Sequence, residues 1–413
     1  MSLVNKSKDM TPFNMSEKPV KQNPFLLPLI WGASFFLTRQ FGLKIQKVNM
    51  KNVKSPFLVL ATHQGFSDYY IGPLSVFPKR AMYVSDMEGF AAFGKSLYRG
   101  IGCIGKRRYV SDLSVITNIK YALKKGQSVF IYPESRHSNI GTTAYIPANM
   151  GRLAKILKVP LVILSVHGSY LANPFWNEEK TRKVPMVAKM ECIYTAEQIA
   201  ALSAEEIQKR IEKELQYNEY DYQHEKGFLI NDSDRAEGLE RALYQCKCCK
   251  KKYFMETKGT KLICKSCGTV WEFTPDGWLV NETENPNEKI SPPDWYLFEK
   301  NEAEKEATES FEKEFSVDVQ ALPNEKGFVD LGKGKLVFNQ NEFVLDYSDA
   351  NGKKCRLVFP HKIRESLQTE YNYRKKGKAI VLSTKDCCYY LYSKDSSFEP
   401  TELQFKSEYL FLR

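Results

Sequence analysis

A chain of 413 residues that is 43% hydrophobic, 13% aromatic and 26% charged is long enough for two or three domains and too rich in core-forming residues for a disordered, fibrous or low-complexity protein. The net charge of +11 is unevenly placed: residues 1–135 hold 19 Lys and Arg against 7 Asp and Glu, and the remainder holds 41 against 42. A basic first third attracts either nucleic acid or an anionic bilayer with its phosphorylated ligands, and the apolar neighbours decide between them.

Those neighbours come first in the chain. Pro24 to Leu43 reads PFLLPLIWGASFFLTRQFGL. Its apolar core, from about Phe25 to Leu37, falls short of the roughly 20 residues that span a bilayer; Pro28 interrupts it and Arg39 closes it. Trp31 and three phenylalanines suit the headgroup boundary, and Lys18, Lys21, Arg39, Lys44 and Lys47 have the sign for anionic lipid. Residues 1–44 are thus expected to be a tail and an amphipathic segment lying on a membrane, with a helix buried against the protein's own core as the alternative. No small-residue cleavage site follows, and the cysteine pattern below favours a reducing compartment, which places the protein at the cytoplasmic face, peripheral or monotopic.

Residues 45–222 predict an α/β layer, a mixed sheet with helices and with ligands at its strand ends. Phe57 to Thr62 is a buried strand running into His63-Gln-Gly-Phe-Ser-Asp68. A hydroxyl is a poor nucleophile at neutral pH, so a histidine that takes its proton is what acyl transfer needs; Asp68 would accept from the other ring nitrogen and fix the tautomer. Further on, Lys106, Arg107 and Arg108 form a three-cation cluster beside two glycines, suited to a phosphomonoester. Ser111 or Asp112 caps a helix that Gly126 ends, and Val129 to Tyr132 is a strand ending at Pro133-Glu134, where an acid can organise a site. A helix over 148–158, a strand from Leu161 to Val166 and a helix opened by the capping box Ser203/Glu206 and reaching about Tyr217 complete the domain.

A polar helical linker is expected over 223–245. Behind it, Cys246, Cys249, Cys264 and Cys267 give C-x2-C-x14-C-x2-C over residues 246–273. Two thiolates two residues apart on a tight knuckle reach one tetrahedral ion, and a second pair closes it, so this spacing predicts a structural zinc ribbon. Cys248, inside the first knuckle, is the competing ligand. Residues 274–315 read as a linker and a helix from Trp295 to Glu314. Residues 316–413 read as a small antiparallel β domain with strands at 317–322, 335–338, 342–347, 355–359, 379–384 and 388–392, and a turn at Asp349-Ala350-Asn351-Gly352.

Four blocks in the first domain occur in a fixed order: His63 to Asp68, Gly102-Cys103-Ile104-Gly105-Lys106-Arg107, Tyr132-Pro133-Glu134-Ser135-Arg136-His137-Ser138 and Val159-Pro160-Leu161-Val162-Ile163. In these the chain resembles the lysophospholipid acyltransferase family, of the 1-acylglycerol-3-phosphate acyltransferase type, over about residues 40–220. The resemblance implies His63 as base for the acceptor hydroxyl, Asp68 as its partner, a site role for Glu134, and acyl-CoA or acyl carrier protein as acyl donor. The acceptor it implies is a lysophospholipid, lysophosphatidic acid going to phosphatidic acid. In the third block the family's arginine stands three residues after the glutamate; here His137 holds that place and Arg136 is one residue closer. An always-charged guanidinium serves a phosphate better than an imidazole, so Arg136 with Arg107 is the expected phosphate holder, and the family register with His137 is the alternative. Two other classes compete: a lipid-binding or scaffolding protein with an inactive acyltransferase domain, and a zinc-ribbon nucleic-acid binder. The intact His63 and Asp68 oppose the first. The basic charge lies around the apolar segment and not on the ribbon, so no nucleic-acid partner is expected.

Overall fold

A computed structural model describes residues 6–177, 179–349 and 352–413; of the turn at 349–352, Ala350 and Asn351 lie outside the described residues. The chain divides into two compact units. One comprises residues 14–106 and 112–222, the other 6–13, 107–111 and 223–413.

The first unit is built on a seven-stranded mixed sheet: β1 (Lys44–Val48), β2 (Leu58–Ala61), β3 (Ala81–Ser85), β4 (Cys103–Gly105), β5 (Ser128–Ile131), β6 (Leu161–His167) and β7 (Val187–Tyr194), in the order β1-β7-β6-β2-β5-β3-β4. From β6 to β4 all neighbours are parallel; β7 runs antiparallel to β6 and parallel to β1. β2 and β5 are buried at every residue, as unbroken apolar runs covered on both faces must be. Around the sheet lie α1 (Leu27–Arg39), α2 (Asp68–Val76), α3 (Met87–Phe93), α4 (Lys95–Gly100), α5 (Leu113–Lys124), α6 (Met150–Leu157), α7 (Ser169–Ala172), α8 (Ala196–Ala201) and α9 (Ala204–Glu214), and α10 (Glu219–Lys226) follows.

Local sequence explains these helices. Asp112 caps α5 by accepting from the Ser114 amide at 2.8 Å, and Val115, Ile119, Ala122 and Leu123 then bury one stripe of it against β2, β5 and β6. Each such aliphatic side chain contributes about 1.5–3 kcal/mol. Ser203 and Glu206 exchange reciprocal bonds at the start of α9, 3.1 Å from the Glu206 amide to Ser203 Oγ and 2.8 Å from the Ser203 amide to Glu206 Oε2. α6 lies so close to α9 that a Cβ at Gly151 would stand 2.1 Å from the Ala204 carbonyl oxygen, so only glycine fits there.

α1 departs from expectation in one respect. Pro28 occupies its first turn and opens the helix instead of interrupting it, because the amide it lacks would have had no intrahelical partner. Its polarity is reversed. Beyond Leu27, the buried residues are Ser34 and Thr38, with Thr38 Oγ1 donating to the Ser34 carbonyl at 2.7 Å, while Phe25 just before the helix (84%) and Leu29 (69%), Phe35 (64%) and Phe36 (74%) on it are exposed. The helix packs against α2, and Trp31 meets Phe77 edge-on at 4.9 Å. Among the described residues no helix is long and apolar enough to cross a membrane.

The second unit holds two antiparallel sheets. The smaller is formed by β8 (Met255–Lys258), β9 (Lys261–Cys264), β10 (Val270–Phe273), β11 (Leu279–Asn281) and β12 (Lys289–Ile290), in the order β12-β11-β10-β9-β8. α11 (Pro292–Glu306) leads to the larger, β13 (Glu312–Leu322), β14 (Val329–Asn339), β15 (Glu342–Ser348), β16 (Lys354–Pro360), β17 (Gln368–Glu370), β18 (Ala379–Ser383) and β19 (Cys388–Tyr392), in the order β16-β15-β14-β13-β19-β18-β17. α12 (Pro400–Leu412) packs against α11 and β17. Three expectations are corrected. Residues 227–238 are not helical, the helix expected to Glu314 ends at Glu306 with a strand beginning at Glu312, and the chain ends in a helix that the β-domain reading lacked.

Candidate active site

β2, β5 and β6 are adjacent and parallel, so the residues that follow their carboxyl ends gather at one edge of the sheet. His63 lies two residues beyond β2, Glu134 three beyond β5, and His167 ends β6. The loop after β2 turns directly into α2, whose first residue is Asp68. His63 Nδ1 is 3.2 Å from Asp68 Oδ2, and both side chains are buried. That oxygen also accepts from the backbone amides of Gln64 at 2.6 Å and Gly65 at 3.1 Å. With two amides already donating to that oxygen, a proton on His63 Nδ1 would complete its set of donors and leave Nε2 as the ring nitrogen not facing the carboxylate.

The ring is boxed by aromatic side chains. Tyr132 lies 4.4 Å away at a tilt of 34°, His137 4.4 Å away edge-on, and Tyr69 5.9 Å away edge-on. The Tyr132 hydroxyl donates to the Asp68 carbonyl at 3.3 Å. Burial pushes the Tyr132 phenol well up, so it stays protonated as a donor.

Glu134 acts on the backbone of the site. Its Oε1 accepts from the His63 amide at 2.9 Å, and its Oε2 from the Ala144 amide at 2.7 Å and the Tyr217 hydroxyl at 3.0 Å. The Ser138 amide returns a bond to the His63 carbonyl at 3.1 Å. Complete burial pushes the Glu134 carboxyl up to about 7 against the lowering effect of these donors and of Arg136. A second carboxylate takes the side chain of the next residue. Glu219 accepts from Gln64 Nε2 at 3.1 Å, from the Gly168 amide at 2.6 Å and, at 2.9 Å, pairs with His167 Nδ1. His167 is thereby a satisfied structural histidine stacked on Tyr222.

The expected phosphate holders separate. Lys106 Nζ donates to Ser135 Oγ at 3.0 Å, and Arg136, buried, bonds the His137 carbonyl at 3.4 Å; both sit against the 132–138 loop that carries Glu134. Arg107 and Arg108 belong to the second unit. The Arg107 guanidinium is buried and donates to the carbonyls of Pro323, Lys385 and Asp386 at 3.0, 2.6 and 2.9 Å. Arg108 lies 3.8 Å from Glu370. A three-cation run therefore does not make a three-cation site, because its members are taken by different partners. Sequence reasoning missed Tyr132, Ala144, Tyr217 and the Gln64–Glu219 pair. Backbone donors and partners some 80 residues away leave no local pattern.

In the second unit the sulfurs of Cys246, Cys249, Cys264 and Cys267 lie within 4.8 Å of one another, with 3.7 Å from Cys246 to Cys267 and 3.8 Å from Cys249 to Cys264. A tetrahedral ion with metal–sulfur bonds of about 2.3 Å needs sulfur–sulfur edges of about 3.8 Å, so the four thiols can hold a metal ion. The knuckles are equivalent: Lys250 and Gly268, each four residues after a cysteine, take positive φ (59° and 79°) and donate back to Cys246 and Cys264 carbonyls at 2.9 and 2.8 Å. Cys248 is outside the cluster.

The Glu134 clamp has a measurable signature. A carboxyl raised from 4.5 to about 7 is neutral in both states at low pH; as pH rises the unfolded chain ionises first, so the folded state loses stability across that window. Glu134→Gln should flatten that part of the stability profile relative to wild type. Its amide nitrogen would also oppose one of the three donors, at a cost of about 1–3 kcal/mol. Denaturant titrations at a series of pH values check this, and identical slopes for the two proteins would refute it.

Residues 43–167 match the family model described as Acyltransferase. Among solved structures, the 1-acyl-sn-glycerophosphate (LPA) acyltransferase PlsC from Thermotoga maritima is similar over 46% of this chain and 76% of that one, at 18% identity and a TM-score of 0.38. No protein of curated function matches the chain at a significant level. Residues 43–167 are therefore an acyltransferase domain, and the four sequence blocks around His63, Lys106, Glu134 and Pro160 fall in order along it.

Proposed function

We propose that the protein transfers a fatty acyl group from acyl-CoA or acyl carrier protein to the free hydroxyl of lysophosphatidic acid, giving phosphatidic acid. The observation that carries this reading is the buried His63–Asp68 pair at the end of a central strand of an acyltransferase domain. Nε2 of His63 takes the hydroxyl proton as the oxygen attacks the thioester carbonyl. Asp68 stabilises the imidazolium so formed. As the carbon–sulfur bond breaks, the proton passes to the departing thiolate. Lys106 and Arg136 hold the acceptor phosphate, an assignment supported by the contacts both make with the 132–138 loop that carries Glu134. Arg107 is left out because carbonyls already take its donors.

Purified protein given a panel of lysolipids with each donor should yield phosphatidic acid by mass spectrometry. His63→Ala should lower turnover by two to four orders of magnitude, roughly what a general base supplies, with the fold kept; Asp68→Asn should lower it less. Near-normal turnover by His63→Ala would sink the mechanism. A wild-type protein that binds lysolipid without product would return the domain to a scaffolding role.

The reaction takes place at an anionic membrane surface. The outward apolar face of α1 supports this, since phenylalanines so exposed gain by entering the headgroup boundary. Replacing Phe35 and Phe36 together by Asp should lower affinity for anionic vesicles more than ten-fold, each ring being worth about 1.5–3 kcal/mol on burial. Vesicle flotation reads the outcome; equal flotation of variant and wild type would place the membrane contact elsewhere.

The four-cysteine cluster holds zinc in a structural role, with no open position for chemistry. Native protein should contain one zinc per chain, and a chelator should unfold the ribbon strands β8–β11, measured as loss of amide-exchange protection there. Native protein without zinc, or a mapped disulfide among Cys246, Cys249, Cys264 and Cys267, would contradict this.

A further inference from the structure

The second unit contains a cavity of about 330 Å³ that the acyl-transfer reading does not use. That volume is at the small end of the range in which proteins hold low-molecular-weight ligands, roughly 300–1,000 Å³. One wall comes from the segment leading into the ribbon, with Glu240, Arg241, Tyr244 and Tyr253; the other comes from the β domain, with Tyr371, Lys378 and Glu399.

Two of these residues carry buried polar atoms that the fold leaves unanswered. Glu399, immediately before α12, is fully buried; Lys378 Nζ donates to its Oε2, while its Oε1 has no hydrogen-bond partner among the described residues. Tyr244 is 1% exposed, and its hydroxyl has no partner either. Leaving such groups unmet costs about 1–3 kcal/mol each, and the usual explanation is a ligand or ordered solvent that meets them. Both line the same cavity. The remaining walls narrow the ligand. Tyr244 and Tyr253 present near-parallel rings 6.2 Å apart, a surface favourable to an organic cation. The ionisable lining is balanced, with Glu240 and Glu399 against Arg241 and Lys378.

We propose that this cavity binds a small zwitterion, with a primary ammonium donating to Glu399 Oε1 beside the tyrosine rings and an anionic group, phosphate or carboxylate, received by the Tyr244 hydroxyl and the Arg241 and Lys378 cations. Free amino-alcohol phosphates and the headgroup of an aminophospholipid share this chemistry. The requirement for N–H is specific: a trimethylammonium carries no donor for Glu399 Oε1, and a site built around such a donor rejects the analogue that lacks it.

The test is isothermal titration of the full-length, metal-loaded protein with phosphoethanolamine, phosphocholine, ethanolamine and inorganic phosphate, and flotation with vesicles with and without phosphatidylethanolamine. Phosphoethanolamine should bind saturably, with phosphocholine, ethanolamine and phosphate each at least ten-fold weaker. Tyr244→Phe and Glu399→Gln should each weaken phosphoethanolamine at least ten-fold. Tyr244→Phe should also keep or raise the unfolding temperature, because it deletes an unmet hydroxyl. Binding only to phosphatidylethanolamine vesicles, lost in the same variants, would identify the lipid headgroup as the source; binding of the free compound would identify a soluble ligand. Equal affinity for phosphoethanolamine and phosphocholine, read on wild type and needing no variant, would overturn the proposal. So would the absence of variant-sensitive binding in both arms, or a Tyr244→Phe protein that is stabilised with its affinity unchanged.

Discussion

Much of the catalytic unit turns on one carboxylate, Glu134. It is buried at the end of β5 and accepts from the amide of His63, the amide of Ala144 and the hydroxyl of Tyr217, so three stretches of chain converge on two oxygen atoms. Where His63 stands relative to Asp68 is therefore decided through its main chain as much as through its imidazole. Adjacent parallel strands supply the rest. Their hydrogen-bonded register brings Leu60 beside Ile131 and Ile163, and the loops that follow inherit that alignment. Glu219 takes the side chain of the next residue, Gln64, and the amide of Gly168, so the loop that carries His63 is held from two sides by buried acids.

This explains what a reader of the sequence can and cannot see. The strands around His63 and Glu134 announce themselves because a central parallel strand must be apolar throughout, and the helix caps at Asp112 and Ser203 because they are satisfied within three residues. The cysteine quartet is equally local. Arg107 is not: a guanidinium beside Lys106 looks like half of an anion site until carbonyls at 323, 385 and 386 claim it, and nothing in the run 106–108 encodes their approach. α12 escaped for a related reason. Its buried face carries Glu402 and Lys406, with Lys252 and Lys313 joining them, so the apolar stripe that marks an ordinary core helix is broken by charges. Burial opposes ionisation of Glu402, and the three lysines nevertheless hold its carboxyl far below the usual range.

α1 illustrates the opposite case, where composition is legible and orientation is not. Hydropathy alone says that residues 27–39 seek an apolar environment. Which side finds it inside the protein depends on α2, and the fold gives that side to Ser34 and Thr38. The side chains left outward are large and apolar, so this exposed apolar surface is a property of the folded shape and not only of the residue list.

The assignment of residues 107–111 to the unit otherwise made of 223–413 has a consequence for how the gene could have been assembled. A tail added at the end of a self-sufficient enzyme would be dispensable by truncation. Here a chain cut after Tyr222 would strip Arg107 of all three carbonyl partners at once, turning a matched internal cation into a stranded one. The two units are thus not beads on a string: five residues inside the first half of the chain are built into the unit made mainly of the second half.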